Sequence, residues 1–138
     1  MDTDIQSRPL FILHVDDHAL FATALKQAME KSFPGVVIEH IGNGSDALQY
    51  IEKRFEHGLP LDLLVTDISH PGINGLDLCK SLKGIQKFYG RRLPVLVLTM
   101  HTDPQIVQRI EEMGFIYLPK STSEVSLAAA VWVSMSLN

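Results

Sequence analysis

Five short apolar runs, each followed by a stretch with helical spacing, decide what this chain can fold into. The runs are LFILHV, VVIEHI, LDLLVT, PVLVLT and FIYL. The helical stretches are Ala19 to Ser32, Ser45 to His57, Gly75 to Tyr89 and Pro104 to Met113, and a last one runs from Thr122 to about Leu137. Strands alternating with helices give a parallel sheet covered on both faces. Parallel strands buried on both faces read as unbroken apolar runs, as these do. The expected fold class is α/β, a doubly wound five-stranded sheet with five helices.

Helix starts carry their own signals. Asn43-Gly44 suggests a turn with Ser45 as the cap of the second helix, and Asn74 can cap the third. Asp103-Pro104 pairs a capping side chain with proline at the first helical position. Ser121 and Glu124 have capping-box spacing before the last helix. That last helix is unusual, because no charged residue follows Glu124 in VSLAAAVWVSMSLN. A surface helix needs a polar stripe opposite its core face, so this one is expected to meet a partner or a continuation of the chain.

The chemistry-bearing residues gather where the apolar runs end. Asp16 and Asp17 follow FILHV, Asp67 follows LDLLVT, Thr99 ends PVLVLT, and Lys120 follows FIYLP. Parallel strands bring their carboxyl ends to one edge, where open α/β sheets bind ligands. Three crowded carboxylates raise one another's pKa unless a cation is present. A hard, oxygen-seeking divalent ion resolves that repulsion, and Mg²⁺ suits a site of few carboxylates plus water. A carboxylate beside such an ion can attack phosphorus, a reaction that asks mainly for in-line positioning and charge neutralisation.

The bulk properties narrow the function classes. A chain of 138 residues fits one domain, 1–138, with a substantial core. A net charge of −4 gives no footprint for nucleic acid, and Lys83, Lys87, Arg91 and Arg92 read as a solvated helix end and loop. The single cysteine, Cys79, excludes a disulfide framework and reads as a small core residue. With no leader and no apolar run of spanning length, a cytoplasmic protein is expected.

Together these residues resemble the CheY-like receiver domains of bacterial two-component response regulators. The likeness runs through VDDHALF, TDISHPGINGLDL, PVLVLTMH and GFIYLPK, nearly the whole chain, and VDDHALF and VLTMH are most similar to receivers of LuxR/NarL-type regulators. The resemblance implies a flavodoxin-like fold with strand order 2-1-3-4-5. It makes Asp67 the phosphoacceptor for a histidine kinase or phosphotransfer protein, and makes the chain a regulatory domain rather than an enzyme. It implies Mg²⁺ held by Asp17, Asp67 and the Ser69 carbonyl, with Asp16 acting through water. Thr99 and Tyr117 become the switch, with Lys120 on the phosphoryl group. The switched surface is helix 4, strand 5 and helix 5, used for homodimerisation or docking. The output is transcription control through an attached or partner domain, the chain being the N-terminal part of a longer regulator.

Departures from that family pattern are visible. His70 replaces the usual methionine, and the bulky Met100 follows Thr99. Pro119 precedes Lys120 and Ser121 follows it, reversing the usual order of lysine and proline. A cis Lys120–Ser121 bond would cost about 2.5–4 kcal/mol, so both isomers stay open. Pro119 itself suits an edge strand. Competing readings are a phosphorylation-independent interaction module and an aspartate-nucleophile phosphatase, although Ser69 stands where the latter has its second acid. A third is dinucleotide binding by Gly42-Asn43-Gly44, with Asp62 at the fingerprint spacing of roughly 20 residues. His14 and His18 read as packing and surface residues.

Overall fold

The strands arise where both faces of the chain are apolar. A computed structural model describes residues 8–68, 75–100 and 103–136. Its strands are β1 (Phe11–Val15), β2 (Val37–Ile41), β3 (Leu63–Thr66), β4 (Val95–Thr99) and β5 (Ile116–Pro119). Its helices are α1 (Ala19–Ser32), α2 (Gly44–Glu56), α3 (Gly75–Tyr89), α4 (Pro104–Glu112) and α5 (Glu124–Ser136). All strand pairs are parallel, in the order β2-β1-β3-β4-β5. The fold is the flavodoxin-like arrangement expected from the sequence.

Successive strand residues point to opposite faces, and two cores result. Leu13, Val15, Leu64, Val95 and Val97 meet Ala47, Ile51 and Phe55 of α2, Leu78, Cys79 and Leu82 of α3, and Ile110 of α4. Ile12, Leu63, Val65, Leu96 and Leu98 meet Leu25, Ala28 and Met29 of α1, and Leu127 and Val131 of α5. Each fully buried aliphatic side chain contributes about 1.5–3 kcal/mol, so these layers outweigh any surface ion pair. The edges depart from the expectation of full burial: β2 exposes Val37, Glu39 and His40, and β5 is half-buried throughout. Cys79 lies in the first core, and burial pushes its thiol up to about 12.

Three helices hand the chain to the next strand by the same device. After α2, Gly58 N–H donates to the Phe55 carbonyl and Leu59 N–H to Arg54, with Gly58 at φ +64°. Gly90 closes α3 in the same way, and Gly114 closes α4. This is the Schellman pattern, in which glycine takes the left-handed conformation at low cost.

Two of the expected caps move. Asn43, rather than Ser45, caps α2 by accepting from Asp46 N–H at 2.8 Å. Gly44 therefore belongs to the helix, and the dinucleotide-like glycines are accounted for by a turn and a cap. Ser123, rather than Ser121, caps α5, its Oγ accepting from Ser126 N–H at 3.2 Å. Asp103 caps α4 as expected, accepting from Gln105 N–H at 2.9 Å. Asn74 and Leu137 lie outside the described residues.

Asp62 also finds a structural role, at the opposite end of the sheet from the carboxyl-end residues. It accepts two hydrogen bonds from the Arg8 guanidinium, at 2.8 and 2.6 Å, and one from Phe11 N–H at 2.8 Å. Burial works against ionised Asp62, but Arg8 and the Phe11 N–H outweigh it and hold the carboxyl below its ordinary pKa. Asp62→Ala leaves the Phe11 N–H without its acceptor, at an expected cost of about 1–3 kcal/mol at pH 7 in urea unfolding. Because the folded pKa is depressed, this stabilisation is complete above the unfolded value near ~3.9 and fades as pH falls through the folded value. The gap between wild type and Asp62→Ala therefore holds from pH 7 to 5 and closes only in stronger acid. A constant gap down to full acid unfolding would contradict this assignment.

Candidate functional site

The carboxyl ends of β1, β3 and β5 deliver three charged side chains to one point. Asp16 N–H donates to Ile41 O and Asp67 N–H donates to Val15 O, so both aspartates sit just past the ladder, held by its last rungs. Lys120 N–H donates to Thr99 O at 3.1 Å, which ties the end of β5 to the end of β4. Pro119 faces Thr99 in the register of the edge strand, where a missing N–H disturbs no second neighbour. No cis peptide occurs among the described residues, so the Lys120–Ser121 bond is trans.

Lys120 Nζ lies 2.7 Å from Asp16 Oδ2 and 3.0 Å from Asp67 Oδ2. The lysine side chain is 6% exposed, and both carboxylates are buried. Burial disfavours the Lys120 ammonium, but the two aspartates overcome this and raise its pKa above the ordinary value. Burial likewise disfavours ionised Asp16, yet the neighbouring His14, Lys120 and His18 hold it well below the usual carboxylate range. The same ammonium lies 4.7 Å from the centre of the Phe21 ring, an added cation–π contact. Asp67 uses its other oxygen to accept from Ile68 N–H at 2.7 Å, and Thr66 Oγ1 donates to the Asp67 carbonyl at 2.8 Å.

Thr99 is fully buried at the end of β4, and Tyr117 is half-buried against the α2–α4 core. Asp17 stays at the margin, 39% exposed, and meets the group through His18 Nδ1 at 3.4 Å. Met100 is exposed. Ser69 and His70 lie outside the described residues.

Two histidines belong here that the sequence reading had set aside or passed over. His18 is not merely a surface residue: its N–H and its Nδ1 both lie 2.9 Å from Asp16 Oδ1, and Nδ1 is 3.1 Å from Lys120 Nζ. His40 Nε2 donates to the Asp16 carbonyl at 2.6 Å, from a strand neighbour in register with His14. His14 is buried packing as expected, between Phe21 and His40, and burial keeps its pKa below the ordinary value. Its position facing His40 follows from the parallel register, which the strand runs alone do not specify.

The donor set suits a divalent cation. Asp16 Oδ2 is fully buried, and its close partner is the Lys120 ammonium, held as an ion pair at 2.7 Å. A second cation among these carboxylates would complete their charge balance. Removing the first cation should be costly. Lys120→Met should destabilise by about 3–5 kcal/mol at pH 7, because two buried carboxylates are left facing each other. Adding Asp16→Asn to that variant should cost much less than the sum of the single changes. Additive losses in urea unfolding would show that Lys120 and Asp16 act independently.

Comparison with known proteins agrees with this fold. Residues 12–132 match the family described as response regulator receiver domain. The chain is 30% identical over 136 residues to the transcriptional regulatory protein DegU of Brevibacillus brevis, covering 96% of this chain and 53% of that one. It thus spans about half the length of that relative. A putative response regulator from Chloroflexus aurantiacus superposes with TM-score 0.77 at 30% identity, covering 94% of this chain and 99% of that one. The receiver domain of the Arabidopsis thaliana histidine kinase CKI1, complexed with Mg²⁺ and BeF₃⁻, shares the fold with TM-score 0.78 at 23% identity, covering 98% and 96% of the two chains. No described helix is long and apolar enough to cross a membrane.

Proposed function

The chain belongs to the response regulator receiver domain family, and on that premise we propose that it accepts a phosphoryl group on Asp67 and switches an output surface in response. The observation that carries the reading is one buried ammonium, Lys120 Nζ, in contact with both Asp16 and Asp67 at the carboxyl end of the sheet. The donor is a phosphohistidine on a histidine kinase or phosphotransfer protein. An Asp67 oxygen forms the new O–P bond as the N–P bond breaks, and the imidazole leaves with its electron pair. Asp16, Asp17, Asp67 and the Ser69 carbonyl would hold Mg²⁺. When bound, Mg²⁺ supplies neutralisation of the charge that builds on the phosphoryl oxygens.

The residues of the chain do the rest. Lys120 shifts its ammonium from the bare carboxylates to the phosphoryl group and keeps the pocket balanced. Thr99 donates its hydroxyl hydrogen to a phosphoryl oxygen, and Tyr117 turns inward behind it. Domain 1–138 is read as one regulatory unit, phosphorylated in the cytoplasm, rather than a turnover enzyme.

The switched surface is α4, β5 and α5, which controls transcription through an attached or partner domain. A helix with Val125 80% exposed and Trp132 62% exposed supports docking or homodimerisation there. Trp132 leans on Phe33 at the end of α1, their rings 6.0 Å apart, so the apolar surface extends toward α1 as well. Moving such a switch from 1:99 to 99:1 takes about 5.5 kcal/mol of differential interaction. A dimer contact formed in only one state would add to what the phosphoryl group provides.

Beryllofluoride with Mg²⁺, followed by ¹⁹F NMR, checks the site. Wild type should give a bound signal and Asp67→Asn none. Absence of a bound signal in folded wild type at saturating Mg²⁺ would replace this reading with a phosphorylation-independent interaction module.

A further inference from the structure

His18 opens α1 at the N-cap position, yet its side chain makes no capping hydrogen bond. Ser, Thr, Asp and Asn dominate this position because their oxygens satisfy helix N–H groups. The imidazole is turned instead onto the acidic site. One ligand atom from each of Asp16, His18 and Asp67 lies within 4.8 Å of the other two. Lys120 Nζ touches all three, at 2.7 Å, 3.1 Å and 3.0 Å, so two carboxylates and an imidazole already converge on one cation. Asp16 Oδ2, fully buried and held through its ion pair with Lys120, is aimed into the same point, where an incoming ion would take the place of the ammonium.

We propose that His18 Nδ1 is a metal ligand, and that this pocket takes an imidazole-seeking first-row divalent ion such as Zn²⁺ more tightly than Mg²⁺. The inference rests on the reading of the pocket as a divalent-cation site. An all-oxygen pocket suits Mg²⁺, whose preference for carboxylate, carbonyl and water leaves little use for a nitrogen. Replacing one oxygen by imidazole favours the later first-row ions, for which affinity at nitrogen sites also rises along the series. The remaining ligands, Asp16 and Asp67, serve either ion. Asp67 is the proposed phosphoacceptor, so an ion held through His18 would compete with Mg²⁺ for the carboxylate on which signalling depends. The 60% exposure of the His18 side chain leaves the nitrogen a path for an incoming ion.

The test titrates wild type, His18→Ala, His18→Ser and Asp67→Asn with Zn²⁺ and with Mg²⁺ by calorimetry. His18→Ser supplies a favourable helix-capping side chain, so a folding defect cannot imitate loss of a ligand. ¹⁵N NMR of the imidazoles reads ligation directly. The expected result is Zn²⁺ binding at least tenfold tighter than Mg²⁺ in wild type, with a large Zn²⁺-dependent shift at His18 Nδ1. Both His18 variants should lose at least tenfold in Zn²⁺ affinity and stay within twofold for Mg²⁺. Mg²⁺ binding that depends on Asp67, together with unchanged Zn²⁺ affinity in the His18 variants, would overturn the His18 assignment alone. No Asp67-dependent binding of either ion would overturn this proposal together with the cation-site reading.

Discussion

A buried ammonium shared between two buried carboxylates organises the functional end of this molecule. Lys120 reaches Asp16 and Asp67 only because β5, β1 and β3 end at one level of a parallel sheet. Removing such charges from water costs several kcal/mol per ion, and their attraction offsets that cost only with close geometry. The site therefore adds little to net stability. What it supplies is a pocket with more negative than positive charge, held together by one buried cation.

Stability comes from elsewhere. The two apolar layers that sandwich β1, β3 and β4 hold the strand ends in place. The main-chain bonds from Asp16 N–H to Ile41 and from Asp67 N–H to Val15 then transmit that rigidity to the carboxylates. His40 adds a cross-strand bond to the Asp16 carbonyl. This division of labour fits a receiver: a rigid sheet fixes the acids, while the half-buried β5 and the charge-poor α5 border the surface proposed to change.

Much of this was legible in the sequence because central parallel strands need both faces apolar, which leaves runs such as FILHV and PVLVL unmistakable. β2 is an edge with Glu39 and His40 exposed, and its run is correspondingly mixed. The helix caps were misplaced by two residues where cap-forming residues cluster. In Asn43-Gly44-Ser45 and in Ser121-Thr122-Ser123 the backbone conformation, and not the residue type, selects the cap. Asp16, Asp67 and Lys120 were legible because position at a strand end suffices to bring them together. His18 and His40 were not, since their roles depend on ring direction and on the register that sets His14 beside His40. The apolar surface of α5 was legible as missing charge, but its approach to Phe33 of α1 needed the packing of the two helices.

Asp16 after β1, the proposed acceptor Asp67 after β3 and Lys120 after β5 lie far apart in the chain and meet at one ammonium in space. The account stands or falls on whether Asp67 is chemically competent. Intact-mass spectrometry after incubation with a small acyl-phosphate donor, with and without Mg²⁺, tests this most directly. The account predicts a gain of one phosphoryl group that requires Mg²⁺, with borohydride trapping locating it at Asp67. A phosphoryl group on another residue, or none on folded protein with Mg²⁺ and donor in excess, would contradict it.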